Sequence, residues 1–251
     1  TRSLPCTLWF FDRAKENDDQ QRDKVLMLDA RKIYRKVTSK VNDFSPEQMQ
    51  NLICIVNLYR GNTTKFESTV KSYLETSANL AKETAEAIAI LQKQLQKVFK
   101  TLRDFAAGIL KENPEAGSFA ESLVIEDEEG FYGLQNNLIA DAQDVKPDID
   151  SLEKIAHQCK ALRKPQDKLI KQLLDSISAA IKSLQLNKNK DWKALEVQAQ
   201  IIAPLKALQH QLSGNPDEGD PGLLHETEYF WKQAHWLTSR FPKGVYTDVE
   251  G

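Results

Sequence analysis

Leu91, Leu95, Val98, Leu102, Phe105 and Ile109 follow one another by four, three, four, three and four residues. That spacing places every one of them on a single stripe of an α-helix, the seam formed by helices that pack at shallow angles. Upstream the stripe continues on Ala78, Ala81, Ala85 and Ile88, where small side chains let a neighbouring backbone come close. The periodic segment runs from Phe66 to Glu112 and stops at Asn113-Pro114, because the residue before a proline is driven out of the helical region. As one helix it would extend about 70 Å. A helix of that length needs partners along its whole stripe, from this chain or from another.

The rest of the chain repeats the theme. Ser45, Pro46 and Gln48 have the order of a capping box with proline at the first helical position. The helix they predict carries Met49, Leu52, Ile53, Val56 and Tyr59 and ends at Gly61. Residues 113–133 break the pattern, with "EDEEG" read as an exposed acidic loop, and helix resumes at Leu134. Pro147 interrupts it and Asp148 offers a new cap. One stripe then holds Leu152, Ile155, Cys159 and Leu162, and another, beyond Pro165, holds Leu169, Leu173, Ile177, Ile181 and Leu184. "LNKNKDW" reads as a turn. After it Asp191 caps a helix bearing Leu195, Ile202, Leu205, Leu208 and Leu212, which Pro204 should kink. "SGNPDEGDPG" is a loop. A last helix, Leu223–Arg240, carries Tyr229, Phe230, Trp231 and Trp236. With only 10 Gly and 9 Pro among 251 residues, nothing in the composition opposes a mainly helical chain.

The first thirty residues are different. Leu4–Phe11 and Val25–Leu28 are short apolar runs that do not alternate, the pattern of strands buried on both faces. Two such strands cannot bury two faces alone. They predict the edge of a larger α/β sheet whose other strands lie outside this sequence, and both ends of the chain read as cut.

Chemistry is sparse. No glycine-rich phosphate loop is present, since Gly130 and Gly133 in "GFYG" lack a preceding strand. "HETEY" has Tyr229 where a zinc-protease motif needs its second His, so His157, His210, His225 and His235 read as helix-surface or aromatic-packing residues. Cys6, Cys54 and Cys159 are too scattered for a metal site or a disulfide framework. No catalytic, cofactor-binding or metal-ligating residue is assigned. Net charge is -2, so no overall basic field draws the chain to nucleic acid. One local exception is the basic segment with Arg31, Lys32, Arg35, Lys36 and Lys40 around Tyr34, candidate phosphate contacts whose plainer reading is a solvated loop. No apolar run reaches membrane-span length, and reduced, scattered cysteines point to a cytoplasmic protein.

"LPCTLWFFDRAK", "KVLMLDARKI" and "FSPEQMQNLICIVNLYRG" together resemble the modification subunit of type I restriction–modification DNA methyltransferases. The residues that carry the likeness are Leu4 through Phe11 with Arg13, then Asp29-Ala30-Arg31, then Phe44 through Arg60. At the other end "HWLTSRFPKGVYTDVEG" resembles a segment near the family's closing region. The resemblance implies that the parent polypeptide methylates adenine N6 in DNA with S-adenosylmethionine. The family's cofactor glycines and its Asn-Pro-Pro-Phe motif would lie upstream, so no cofactor and no catalytic residue is carried onto this piece. It also implies assembly with a specificity subunit, a second modification subunit and a restriction subunit, with DNA reached through the complex and no membrane partner.

The expected fold is therefore mainly α: an elongated bundle of coiled-coil-like helices with a two-strand N-terminal remnant of an α/β methyltransferase sheet. Residues 1–61 would be the tail of the methyltransferase domain, 62–212 the long-helix bundle, and 213–251 a loop and aromatic-rich helix. The expected role is a non-catalytic module for assembly and positioning on DNA, with Leu91, Leu95, Val98, Leu102, Phe105 and Ile109 as its packing seam. A free-standing coiled-coil scaffold is the alternative.

Overall fold

The computed structural model describes residues 13–19, 21–31, 33–36, 41–215 and 219–247. The chain is mainly α. Its helices are α1 (Pro46–Tyr59), α2 (Thr64–Leu110), α3 (Ala116–Ser122), α4 (Glu128–Gln143), α5 (Ile149–Ser183), α6 (Lys190–Ala194), α7 (Ala203–Ser213) and α8 (Leu223–Arg240). The described residues fall into two compact units, Thr1–Tyr73 with Gln233–Gly251, and Leu74–Lys232. No helix among the described residues is long and apolar enough to cross a membrane.

In the first unit the expected strand Leu4–Phe11 lies outside the described residues. The strand expected at Val25–Leu28 does not form. The segment joins no ladder among the described residues, and Val25 and Met27 are 74% and 83% exposed. A four-residue apolar run becomes a strand only where a neighbour takes up its backbone groups. The pairing that does occur lies within the basic segment: β1 (Arg35–Lys36) and β2 (Asn42–Asp43) are antiparallel, with Arg35 opposite Asp43.

α1 begins as its sequence predicts. The Gln48 N–H donates to Ser45 Oγ at 3.2 Å, and the Ser45 N–H donates to Gln48 Oε1 at 2.8 Å. Its buried face is Asn51, Cys54, Ile55 and Leu58, whereas Met49 and Ile53 of the expected stripe stay exposed. Asn51 Nδ2 donates to Gln233 Oε1 at 2.7 Å, and the Tyr73 hydroxyl lies 3.1 Å from Asn51 Oδ1. Behind α8, Gly244 has φ +66, and a Cβ there would meet Phe66 Cδ1 at 3.1 Å, so the chain passes Phe66 at a distance suited to glycine.

The second unit is built on α2 from Leu74 onward; the helix's 47 residues begin and end two positions earlier than the sequence predicts. Its small-residue half meets α8. Ala78, Ala81 and Ala85 are buried, Ser77 Oγ donates to the Thr227 carbonyl at 2.9 Å, and the Thr84 and Thr227 hydroxyls lie 3.1 Å apart. The segment expected to be irregular contains α3, with Ala116 and Phe119 buried, and the start of α4. "EDEEG" is therefore not a loop. Asp127 caps α4 by accepting the Gly130 N–H at 2.9 Å, and Glu128 and Glu129 occupy the first turn, where the helix dipole favours negative charge.

α4 and α5 form a helical hairpin. Asp148 caps α5 through the Ser151 N–H at 2.8 Å, and Asp141 accepts from Lys154 at 2.7 Å and Gln158 at 2.6 Å. α5 then runs unbroken through Pro165. The ring lies on an exposed turn, so the carbonyl deprived of its N–H partner, that of exposed Ala161, faces solvent, while Leu162, Gln166 and Leu169 keep the buried stripe continuous. After α5, the cap of α6 is Asn189 rather than Asp191, accepting the Trp192 N–H at 2.9 Å. The single helix expected next is two, separated at Glu196 (φ 45). A π-helical turn, Gln198–Ile202, leads without a break into α7, and Pro204 in its first turn supplies no N–H to the turn before it; the Gln200 carbonyl, four residues back, accepts from Gln94 Nε2 at 3.0 Å instead. The loop into α8 closes through the bridge Asn215–Asp220. Gly214 (φ +76) is required there, since a Cβ would sit 2.2 Å from the Asp220 carbonyl oxygen.

Candidate functional site

Of the five candidate phosphate contacts, the structure describes two side chains. Arg31 is held by Asp29: its N–H and Nε donate to Oδ1 at 3.0 and 2.9 Å, and Nη2 donates to Oδ2 at 2.7 Å. That hydrogen bonding, with the carboxylate's charge behind it, raises the guanidinium pKa. Arg35 is held by Asp43 across the strand pair at 2.6 Å, and its hydrogen bond keeps the Asp43 carboxyl below the usual range. Lys32 and Lys40 lie outside the described residues. Lys36 is placed only by its backbone in β1. Both described arginines thus face a carboxylate of their own segment, which reduces the local field available to a polyanion.

The seam lies within the second unit. Leu91, Leu95, Val98 and Leu102 are 0–1% exposed, while Phe105 and Ile109 are half-buried. A straight helix drifts about 20° per heptad, so in the last turns Ala106 takes the buried position and the Phe105 ring tilts against Trp192 at 5.0 Å. Neighbouring helices are tied to α2 on both sides. Gln92 Nε2 donates to Asn136 Oδ1 at 2.9 Å, and Gln94 Nε2 donates to the Gln200 carbonyl at 3.0 Å. Arg103 donates to the Leu123 carbonyl through Nε at 3.2 Å and Nη2 at 3.0 Å, a cation at the C-terminus of α3. The stripe is covered by helices of this same chain.

A third constellation was not singled out by the sequence. Glu228 on α8, only 5% exposed, is held by Arg163 of α5 and by Lys232 at 2.5 Å. Burial pushes the Glu228 carboxyl up, but the hydrogen bond from Lys232 and the charges of Arg163 and Lys232 outweigh it and leave the group below its usual value. Beside it, burial and the same two cations lower His225, whose ring stacks on Tyr229 at 6.5 Å. Arg163 and His225 border a hollow of about 350 Å³ with Ser213 and Asp220. The i, i+4 pair Glu228–Lys232 was readable from spacing. Arg163, 65 residues away, was not.

This arrangement fastens α5 to α8, because the one carboxylate is engaged by two cations. Cys159, buried one turn before Arg163, is not an available nucleophile: desolvation pushes its thiol up to about 12. Cys54 is also buried and raised. Of the histidines, His157 packs edge-on against Trp231 at 6.0 Å and His210 lies 3.3 Å from Asp220. Among the described residues no group of three or more His, Cys, Asp or Glu is placed to hold a metal ion.

Residues 1–94 match the family model for N-6 DNA Methylase. The first part of the chain, ending midway along α2, is thus similar to N6 DNA methyltransferases, and the C-terminal segment from His235 lies outside the match. No curated protein and no solved structure matches the chain.

Proposed function

We propose that this chain is the C-terminal region of a type I modification subunit, a non-catalytic helical module that assembles with the specificity subunit and positions the methyltransferase on DNA. The observation that carries this reading is the similarity of residues 1–94 to N-6 DNA methylases, joined to the motif residues Asp29-Ala30-Arg31 and Phe44 through Arg60. Adenine methylation, S-adenosylmethionine, and contacts with the second modification subunit and the restriction subunit belong in this reading to the parent polypeptide. No residue of this chain is assigned to the cofactor. The hollow of the second unit is bordered by Arg163, His225 and Asp220 rather than by a glycine-rich strand-to-helix turn, so no chemical step is assigned to this chain.

Because α2's seam is covered by its own chain, a partner helix must dock elsewhere. α1 offers a second stripe: Met49 and Ile53 are 44% and 40% exposed, with Leu52 and Val56 half-buried beside them. That i, i+3, i+4, i+7 spacing suits the apolar face of another helix. The test is co-elution of the chain with its cognate specificity subunit. The wild type should co-elute, and Met49→Lys with Ile53→Lys should not, at unchanged melting temperature. A wild-type chain that elutes alone would refute the reading and favour a free-standing scaffold.

A further inference from the structure

We infer that the outer face of α5 binds the phosphate backbone of duplex DNA through Lys160, Lys164, Lys168 and Lys171. All four side chains are exposed. At 100° per residue they share an arc of about 80°, and they span about 16 Å of helix. Spacings of four, four and three residues stack like charges one turn apart, an arrangement that destabilises a helix by about 0.2–0.5 kcal/mol per pair. Lys160 and Lys168 have no carboxylate three or four residues away in either direction. The chain carries this unfavourable row although its net charge is -2.

Of the acids near the row, Glu228 and Asp141 are engaged by other cations, whereas Asp167 keeps its charge within a turn of Lys164 and Lys171. Glu228 holds Arg163 and Lys232, and Asp141 holds Lys154 and Gln158. Asp167 is turned towards α7, where Ser213 Oγ donates to it at 2.7 Å. Asp175 remains, one turn beyond Lys171, at the end of the row. Lys206 of α7 and Lys171 line a common groove of about 720 Å³ together with Asp167 and Asp175, so the cationic row ends at this charge-balanced groove and does not cross to α7. No large apolar side chain of α5 is exposed among the described residues, so the face lacks the apolar anchor that a lipid surface requires. A row of exposed cations on one arc, two of them with no acid three or four residues away, and without an apolar anchor fits a row of phosphates. The choice of DNA as the polyanion rests on the proposed function.

The test is fluorescence anisotropy of the 251-residue chain with a short labelled duplex of arbitrary sequence, titrated over salt. Four phosphate contacts predict a slope of log affinity against log salt near -3.6. The Lys160→Gln/Lys164→Gln/Lys168→Gln variant should lose about 2.7 of that slope, and roughly tenfold or more in affinity at low salt. Circular dichroism should be unchanged, because the three side chains are exposed. A control variant of scattered exposed lysines that form no row, Lys82→Gln/Lys111→Gln/Lys193→Gln, should keep the slope. An unchanged slope in the α5 variant, an equal loss in the control, or displacement of the duplex by poly-glutamate at equal charge overturns the inference. Co-elution with the specificity subunit separates the two readings. A wild-type chain that co-elutes but ignores duplex removes the α5 site alone, while binding through the three lysines without co-elution sustains it against the assembly role.

Discussion

Replacing Arg163 with Met tests the link between α5 and α8 most directly. The Glu228 side chain is 5% exposed, Arg163 27% and Lys232 56%. Removing the Arg163 charge leaves a nearly buried carboxylate with one exposed lysine. Breaking a buried pair from one side costs about 3–5 kcal/mol. Lys232 stays in place and Arg163 is itself partly hydrated, so the lower end applies, about 3 kcal/mol. For a chain of this size that corresponds to a fall of about 6–12 °C in melting temperature. The double variant Arg163→Met/Glu228→Leu should recover most of the loss, because apolar groups in place of a buried pair are close to neutral.

The pH dependence sharpens the test. Glu228 is held below its usual 4.5 in the folded chain. Its unfolded value is the higher one, so its contribution is fully present above that value and is lost as pH falls through the folded one. In Arg163→Met, burial is less opposed, so the folded carboxyl shifts upward and protonates earlier. Urea titrations at neutral and mildly acidic pH should therefore show the gap between variant and wild type narrowing as pH falls. A gap that stays constant with pH, or a double variant as unstable as the single one, would refute the reasoning.

Three further outcomes follow from burial and backbone geometry. Leu95→Asp or Leu102→Asp, each at a position with no exposure, should cost several kcal/mol, on the order of 4. Ile90→Asp, at 57% exposure on the same helix, should stay within about 0.5 kcal/mol in the same denaturation assay. Gly244→Ala combines φ +66 with a 3.1 Å approach to Phe66 and should lower stability by about 1–2 kcal/mol; an unchanged melt would contradict that geometry. Cys159 should resist iodoacetamide at mildly alkaline pH until the chain opens, since its thiol is pushed up to about 12. Labelling of the native chain at the rate of a free thiol would show the site to be open.

The long helices were legible because their signals are redundant. α2 declares itself by an apolar period repeated over many turns and by Asn113-Pro114 at its end, and α1 by a complete capping box. Errors arose where one local signal stood alone. Val25–Leu28 has the composition of a strand, but four residues do not specify their own ladder partner. "EDEEG" reads as a loop by charge, although acids at a helix start are stabilised by the dipole, and Asp127 was available to cap it. Asn189 and Asp191 are both good caps, and the choice between them fell to the buried Trp192.

Pro165 separates two apolar stripes in the sequence, one ending at Leu162 and one beginning at Leu169, and the pattern alone fixes no angle between the faces that carry Lys160 and Lys164 and those that carry Lys168 and Lys171. The sequence alone does not reveal that the ring sits on a solvated turn, where the orphaned carbonyl of Ala161 can turn to water. Once α5 is continuous, rotation per residue fixes all four lysines on one arc, while in the basic segment near Tyr34 the two described arginines are engaged by Asp29 and Asp43. Burial of Leu162, Gln166 and Leu169 under the proline holds that continuity. The packing of the core side of α5 therefore sets the geometry of the charge on its outer side.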